Sequence, residues 1–353
     1  MACVSLPEMP GLPCIELAAL SGELAALGDL ALAPELARRL HDFQRRIPVS
    51  GLSGEAATRL ISRLNDQLTA SVLALVARRH RLPPTEWCWL AMGSEGRDEQ
   101  TLVTDQDNGL VFVATSSSEA QALRELFLPF AREANEHLAA CGFTRCPGEI
   151  MAGNPAWCLS LDEWRGKFID WVRCPEPEAL LNATIFFDFR PLYGHFELGV
   201  SLRELVSRLT ADAPAFLHLM AVNALAVHPP LGFLGDVAVD DAETVDLKKL
   251  GSRLFVDTAR ILALASGVSA VNTFDRLRDA GPLGCMKDYE IRVAQAALSQ
   301  ILRLRLEHQA SQSGMEQAGF HPSSLHEIDR VILREALRQA RHLQQRLKLN
   351  YSL

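Results

Sequence analysis

Two short apolar runs that enclose a polar segment constrain the fold of this chain more than any other feature. Residues 87–92 (WCWLAM) and 109–113 (GLVFV) are apolar and short, as buried strands are. The segment between them opens with Gly93-Ser94 and carries Asp105 and Asp107 just before the second run. The pattern therefore predicts a strand, a glycine-serine turn, and two carboxylates at the entry to the next strand.

The surrounding residues predict that these strands belong to an α/β core. Ser116-x-x-Glu119 has the spacing of a helix capping box, which predicts a helix that ends near residue 140. A third β-rich run, NATIFFDF at residues 182–189, stops at Arg190-Pro191. Strands that alternate with helices indicate an α/β core, here over residues 85–197.

Helical patterns flank the predicted core on both sides. Residues 1–84 form a predicted helical lead-in, which Pro83-Pro84 ends because proline cannot continue a helix. Residues 198–353 carry apolar side chains at helical spacing, with a capping-box pattern at Ser201-x-x-Glu204 and a loop expected near 311–323. The predicted fold class is therefore α+β: a mixed sheet with flanking helices in an α/β core, plus an all-α helical bundle.

Composition and charge exclude several classes of protein. The 353 residues have a formal net charge of −8, which argues against nucleic acid as the main partner because phosphate backbones need a basic face. No apolar run approaches the roughly 20 residues that span a bilayer, and residues 1–14 lack the pattern of a secretory signal. The eight cysteines show no zinc-binding spacing, so we expect reduced thiols and a cytoplasmic protein without a membrane partner.

The polar segment has the residue types of a phosphate and metal site. Asp105 and Asp107 alternate, so on a strand both carboxylates point to the same face. Such a pair can hold Mg²⁺ that also takes substrate phosphate oxygens, and Gly93 lets a backbone N–H approach a phosphate closely. Two aspartates near a turn can also merely cap or solvate it, which is the alternative. No Walker A loop, nucleophile elbow or dinucleotide-binding fingerprint occurs.

The longer string GSEGRDEQTLVTDQDNGLVF, at residues 93–112, resembles the DUF294-like family of nucleotidyltransferases. This family is related to the N-terminal domain of the PII-protein uridylyltransferase and to the polymerase-β-like superfamily. The resemblance continues over residues 146–172, 180–194 and 246–268. It implies a nucleotidyltransferase-like sheet, with the helical bundle shaping the acceptor side of the cleft as a substrate-binding domain.

The resemblance also implies roles for individual residues. Asp105 and Asp107 would be catalytic metal ligands, and Gly93 and Ser94 would bind the triphosphate of the nucleotide. Asp188, in the run FFDFR, would be the third catalytic carboxylate and metal ligand. From the residues alone, an alternative for Asp188 is a salt bridge to its neighbour at position 190.

Two basic residues are further candidates for nucleotide binding. Arg97 could contact phosphates through its planar fork, or could pair instead with Asp98 or Glu99. Lys248, in the sequence DLKK, is the candidate triphosphate partner from the bundle, with a solvated position as the alternative.

The expected function follows from the resemblance. It is a two-metal transfer of UMP or AMP from a nucleoside triphosphate to an acceptor, such as a signalling protein of the PII type. Mg²⁺ is the expected ion, with two ions at the site and Mn²⁺ as a substitute. One alternative is a catalytically silent module that senses nucleotides, and another is a helical scaffold with a vestigial site. The sequence leaves open the base, the acceptor and the oligomeric state, including a homodimer.

Three aromatic and two polar positions remain from the segment at 146–172. Trp157, Trp164 and Trp171 recur every seven residues, which predicts one helical face and a core seam rather than a platform for bases. Asn154 and Lys167 are candidates to face the cleft.

Overall fold

The computed structural model describes residues 14–232, 235–312 and 319–353. The segment analysed for an export signal lies almost wholly outside these residues, and so does the middle of the loop expected near 311–323. The described chain is a mixed α+β fold, as the sequence predicted.

Most of the described residues are helical. The longer helices are α1 (Cys14–Ala25), α2 (Ala33–Gln44), α3 (Gly54–Arg79), α5 (Ser117–Ala140), α6 (Leu161–Arg173), α7 (Pro177–Phe186), α8 (Phe196–Ala211), α9 (Pro214–Leu225), α10 (Arg253–Ala265), α11 (Thr273–Ala280), α12 (Asp288–Ser311) and α13 (Glu327–Tyr351). A single turn, α4 (Gly93–Gly96), follows the first strand, and a π-type turn at Lys248–Ser252 leads into α10.

A four-stranded mixed sheet forms the centre of the fold. Its order is β5-β3-β1-β6, with β1 antiparallel to both neighbours and β3 parallel to β5. A separate parallel pair joins β2 to β4. The strands are β1 (Trp87–Ala91), β2 (Asp105–Gln106), β3 (Asn108–Phe112), β4 (Thr144–Arg145), β5 (Cys158–Ser160) and β6 (Arg190–Gly194).

The two faces of the sheet bury different helices. Trp89 and Leu110 lie on one face, in a core with the apolar side chains of α1, α2, α3 and α5. Leu90 and Val111 lie on the other face, in a core built mainly from α6 to α10. The helical lead-in therefore covers one side of the sheet. The domain boundaries at residues 84 and 197 stay a prediction.

Helices α10 to α13 form a third core, and its helix α12 packs against α3 of the lead-in. The two parts approach each other closely at Gly54, the first residue of α3. A Cβ at this position would lie 2.0 Å from the Ser299 carbonyl oxygen of α12. Only glycine therefore fits where the lead-in meets the bundle.

The predicted strand at 182–189 is wrong. Helix α7 occupies Pro177–Phe186, and strand β6 begins only at Arg190. Ala183 and Phe186 of this helix and the following Phe187 are fully buried. Because a helix of this kind shows no polar face, its sequence pattern cannot be told from that of a buried strand.

The capping patterns had different outcomes. Ser116 accepts a hydrogen bond from the Glu119 N–H at 3.2 Å, which confirms the start of α5. Helix α8, in contrast, begins at Phe196 and not at Ser201. The Ser201 hydroxyl lies within the helix and donates to the Leu198 carbonyl at 2.9 Å.

Within the described residues, no helix is both long enough and apolar enough to cross a membrane.

Candidate active site

A cavity of about 310 Å³ lies between the glycine-serine turn and the helical half of the chain. Seven residues were predicted to be catalytic or to bind the nucleotide. Six of them line this cavity: Gly93, Ser94, Arg97, Asp105, Asp107 and Lys248. The other half of the wall comes from the turn before α10 and from α10 and α12. Two parts of the chain that are distant in sequence therefore meet at one site.

Gly93 brings the turn after β1 directly against Asp107. Its φ of +58° lies in the left-handed region that favours glycine. A Cβ there would lie 2.5 Å from Oδ2 of Asp107, so a larger residue would displace that carboxylate. The Met92 N–H also donates to the Asp107 carbonyl oxygen at 2.8 Å, which fixes the two segments to each other.

Gln106 explains why Asp105 and Asp107 share one face. Its side chain is buried and donates from Nε2 to the carbonyl oxygens of Asn135 and Phe143, at 3.1 and 3.0 Å. Because neighbouring residues of an extended chain point to opposite sides, the two carboxylates both point into the cavity.

The paired carboxylates create a local excess of negative charge. Burial raises the pKa of Asp107 to about 6, and the charge of Asp105 adds to the effect. The Cys146 thiol donates to the Asp107 carboxylate and partly offsets the rise. Lys248 places Nζ 3.9 Å from Oδ1 of Asp105.

This arrangement fits a magnesium ion shared with a substrate. Mg²⁺ is usually held by one or two carboxylates together with phosphate oxygens, and Asp105 and Asp107 supply those carboxylates. In the described parts of the chain no group of three or more acidic, histidine or cysteine side chains is arranged to hold a metal ion. The remaining oxygens around a metal at this site would come from water or from a ligand.

Asp188 is not brought to the other two carboxylates. It is fully buried, and its two oxygens accept four hydrogen bonds from Arg97, Arg260 and Arg276, at 2.6 to 2.9 Å. Although burial alone would raise the pKa of Asp188, these guanidinium groups hold it far below its usual range. The prediction that Asp188 is the third metal ligand is therefore wrong, because the arginines occupy the oxygens that a metal would need.

The structure also decides between the alternative partners proposed for these residues. Arg97 pairs with Glu99 at 3.0 Å and with Asp188 at 2.7 Å, and it still lines the cavity. Arg190 pairs with Asp66 and Asp98. The alternative salt bridge from Asp188 to its neighbour at position 190 is therefore also wrong.

Among the polar residues of the cavity wall that sequence reasoning missed are Ser252, Asp257, Arg260 and Arg305. Asp257 and Arg260 lie on α10 and pair with each other at 2.7 Å. The sequence could have indicated these two residues, because both charges fall inside the apolar helical pattern RLFVDTARILALA. Arg305 carried no comparable signal in the mixed sequence of α12.

The other candidates from the segment at 146–172 lie outside the cavity. Trp157, in the turn before β5, stacks with Trp164 at 6.2 Å and contacts Trp171 at 6.5 Å between ring centroids, which confirms the core seam. The single helical face is wrong, because only Trp164 and Trp171 lie on α6. Lys167 lies over the Trp157 ring at 5.1 Å. Asn154 caps the short turn before β5 by accepting from the Ala156 N–H. Neither polar residue lines the described cleft.

Comparison with known families gives a match for each of the two segments that line this cavity. A family model described as "Putative nucleotidyltransferase DUF294" matches residues 38–178. A second, described as "Putative nucleotidyltransferase substrate binding domain", matches residues 214–351. The chain belongs to the DUF294 nucleotidyltransferase family. No curated protein matches the chain.

The DUF294 assignment gives the general activity as nucleotidyl transfer and the substrate class as a nucleotide. The first match contains Gly93-Ser94 and the Asp105/Asp107 pair. The second contains Lys248 and Arg305. The cavity of this DUF294 member therefore lies between the matched transferase segment and the matched substrate-binding segment.

Proposed function

We propose that this chain transfers UMP or AMP, in a Mg²⁺-dependent reaction, from a nucleoside triphosphate to an acceptor. The observation that carries the proposal is the position of Asp105 and Asp107. The two carboxylates line one cavity with the Gly93-Ser94 turn, opposite cationic side chains of the substrate-binding half. Carboxylates suit metal ions, and the cations suit phosphates.

Asp105 and Asp107 would hold the expected pair of Mg²⁺ ions, with Mn²⁺ as a substitute. When bound, these ions neutralise the charge that develops on the phosphates. The raised pKa of Asp107 supports this role, because a cation between the two carboxylates would relieve their mutual repulsion.

The chain's own residues would position the triphosphate. Gly93 allows its backbone to approach a phosphate, and Ser94 lines the same cavity. Lys248 reaches the same space from the substrate-binding half. In the reaction, the acceptor oxygen forms a bond to the α-phosphorus, the bond to pyrophosphate breaks, and the acceptor proton passes to water.

Arg97 would act at the edge of the phosphate site. Its contacts with Glu99 and Asp188 hold the guanidinium in one orientation, so little conformational entropy is lost when a ligand binds. The acceptor is proposed to be a side chain of another protein, such as a signalling protein of the PII type. This part rests on the resemblance to the uridylyltransferase.

A second candidate function is a silent module that binds nucleotides without chemistry. The position of Asp188 favours it, because Arg97, Arg260 and Arg276 hold the expected third carboxylate away from Asp105 and Asp107. Calorimetry with ATP and UTP, with and without Mg²⁺, together with an assay for turnover separates the two. Metal-dependent binding without turnover supports the silent module.

Incubation of the chain with α-labelled ATP or UTP, Mg²⁺ and host-cell lysate tests the transferase. We expect label on a protein acceptor, and we expect its loss when Asp105→Asn and Asp107→Asn are combined. Absence of label with both nucleotides, or unchanged transfer by the double variant, contradicts the proposal.

A further inference from the structure

We propose that Arg305 and Ser252, with Lys248, form a subsite for the terminal phosphates of a polyphosphate ligand. This inference rests on the proposed function and deepens it. It adds two residues of the substrate-binding half that no sequence pattern indicated.

Arg305 differs from the other arginines of the cavity wall in its partners. Arg97, Arg253 and Arg260 each form a salt bridge with a carboxylate. Arg305 forms no salt bridge with any residue in the described part of the chain, and its Nη1 donates to the Ser252 hydroxyl at 3.0 Å. Its remaining donors are therefore available to a ligand.

The charge of Arg305 persists in this half-buried position. Burial lowers the pKa of Arg305 to about 10, so the guanidinium remains protonated near neutral pH. A cation that is withdrawn from water without a salt bridge is costly unless an anion compensates it. The location thus favours an anionic ligand.

Arg305 also lies where two cavities meet. A second cavity of about 260 Å³ adjoins the first, and the two share Val103, Asp246, Lys248 and Arg305. Each cavity alone lies near or below the lower end of the range for ligand sites, about 300 to 1,000 Å³. An extended ligand would occupy both and pass this junction.

The turn before α10 orients the donors at the junction. Asp246 accepts from the backbone N–H groups of Lys248 and Lys249 through the same oxygen, both at 2.9 Å, and so fixes the turn. Ser252 donates to the Lys248 carbonyl at 3.3 Å and presents its oxygen to Arg305. The backbone of Lys248 and the guanidinium of Arg305 are therefore both held to Ser252.

A polyphosphate is the ligand class that fits these donors best. The planar guanidinium matches two oxygens of one phosphate, whereas the ammonium acts as a point charge. Lys248 already approaches Asp105, where the metal-bound part of the nucleotide would lie. Arg305 and Lys248 both line the second cavity, which Asp105 does not, so the phosphates away from the transferred group would lie at this junction.

Calorimetry with Mg²⁺–ATP, Mg²⁺–UTP, inorganic tripolyphosphate, AMP and UMP tests the subsite. The variants are Arg305→Gln, Arg305→Lys and Ser252→Ala, with Arg292→Gln on the exposed side of α12 as the matched control. For Arg305→Gln we expect about tenfold weaker binding of the triphosphates and of tripolyphosphate, because a charge-assisted fork is lost. Arg305→Lys should lose less affinity for these ligands, and the control should bind them as the native chain does.

The monophosphates should bind Arg305→Gln and the native chain equally. Unchanged affinity of Arg305→Gln for the triphosphates, or an equal loss for AMP and UMP, overturns the subsite. If Arg305→Gln does not fold, Arg305→Lys and Ser252→Ala are judged by the same comparison. If the calorimetric prediction fails while label transfer is intact, only the subsite is contradicted. Selective loss of tripolyphosphate binding without label transfer supports the subsite and contradicts the transferase.

Discussion

Lys248 Nζ lies 3.9 Å from Oδ1 of Asp105, and this pair joins the two sides of the cavity. The side chain of Lys248 is 62% exposed and that of Asp105 31% exposed. Exposed pairs contribute only about 0 to 1 kcal/mol to stability. The contact therefore matters more for the electrostatic potential of the cavity than for holding the fold together.

Replacement of Lys248 should separate binding from stability. For Lys248→Met we expect a change of less than about 1 kcal/mol in the free energy of unfolding, because the pair is exposed. We expect roughly tenfold weaker binding of Mg²⁺–nucleoside triphosphate, because a phosphate loses a cationic partner. Chemical denaturation and calorimetry measure the two effects. Lys348→Met, on the exposed side of α13, is the control, and equal affinity of the two variants contradicts the prediction.

Asp188 should be needed for stability more than for metal binding. Asp188→Asn should lower the free energy of unfolding by about 3 to 5 kcal/mol, because Arg97, Arg260 and Arg276 lose a buried counter-charge. Urea denaturation measures the loss. Asp162→Asn is the control, because its salt bridge to Arg165 is exposed and should be worth less than about 1 kcal/mol. A small loss for Asp188→Asn, with loss of metal-dependent binding, would restore Asp188 as a metal ligand.

The strands that bear the candidate site were predictable from local sequence. β1 and β3 were placed to within one residue, because Pro83-Pro84 and Gly93 bound the first run and polar residues bound the second. Helix α7 was mistaken for a strand because its largely apolar sequence shows almost no helical period. Periodicity then carries no information about the type of element.

The surroundings of Asp188 could not be predicted, because they depend on distant parts of the chain. Its three arginine partners come from the turn after β1, from α10 and from α11. No local pattern indicates that they converge. Arg305 is comparable, since only the packing of α12 against the turn before α10 brings it to Ser252.

Gly93 should be required for the shape of the site. Gly93→Ala should destabilise the fold by about 1 kcal/mol or more, because alanine is strained at positive φ and its Cβ would meet Asp107. Gly22 in α1 is the matched control, because nothing lies within 4 Å of a Cβ there. Gly22→Ala should be neutral, or stabilising by up to about 1 kcal/mol. Thermal unfolding of both variants checks this, and equal melting temperatures would contradict it.

Glu95 should make stability depend on pH. Burial, followed by the charge of Asp66, raises the pKa of Glu95 to about 8 from an ordinary value of 4.5, although Arg190 opposes the shift. The folded state therefore favours the protonated acid, and stability is lost as the pH rises from about 4.5 through about 8.

The Glu95→Gln variant removes this titration. Its melting temperature should match that of the native chain below about pH 4.5 and exceed it increasingly as the pH rises toward about 8. Differential scanning calorimetry across this pH range measures the difference, with the exposed Glu136→Gln as control. A difference that does not change with pH would show that folding does not raise the pKa of Glu95.

Titration of the chain with nucleoside triphosphate at increasing Mg²⁺ concentration tests the central claim most directly. The native chain and an Asp212→Asn control should bind more tightly as Mg²⁺ rises. A folded variant that combines Asp105→Asn with Asp107→Asn should lose this dependence, because it keeps the cationic wall but lacks the carboxylates that hold the metal. The same Mg²⁺ dependence in the double variant would show that Asp105 and Asp107 are not the metal site.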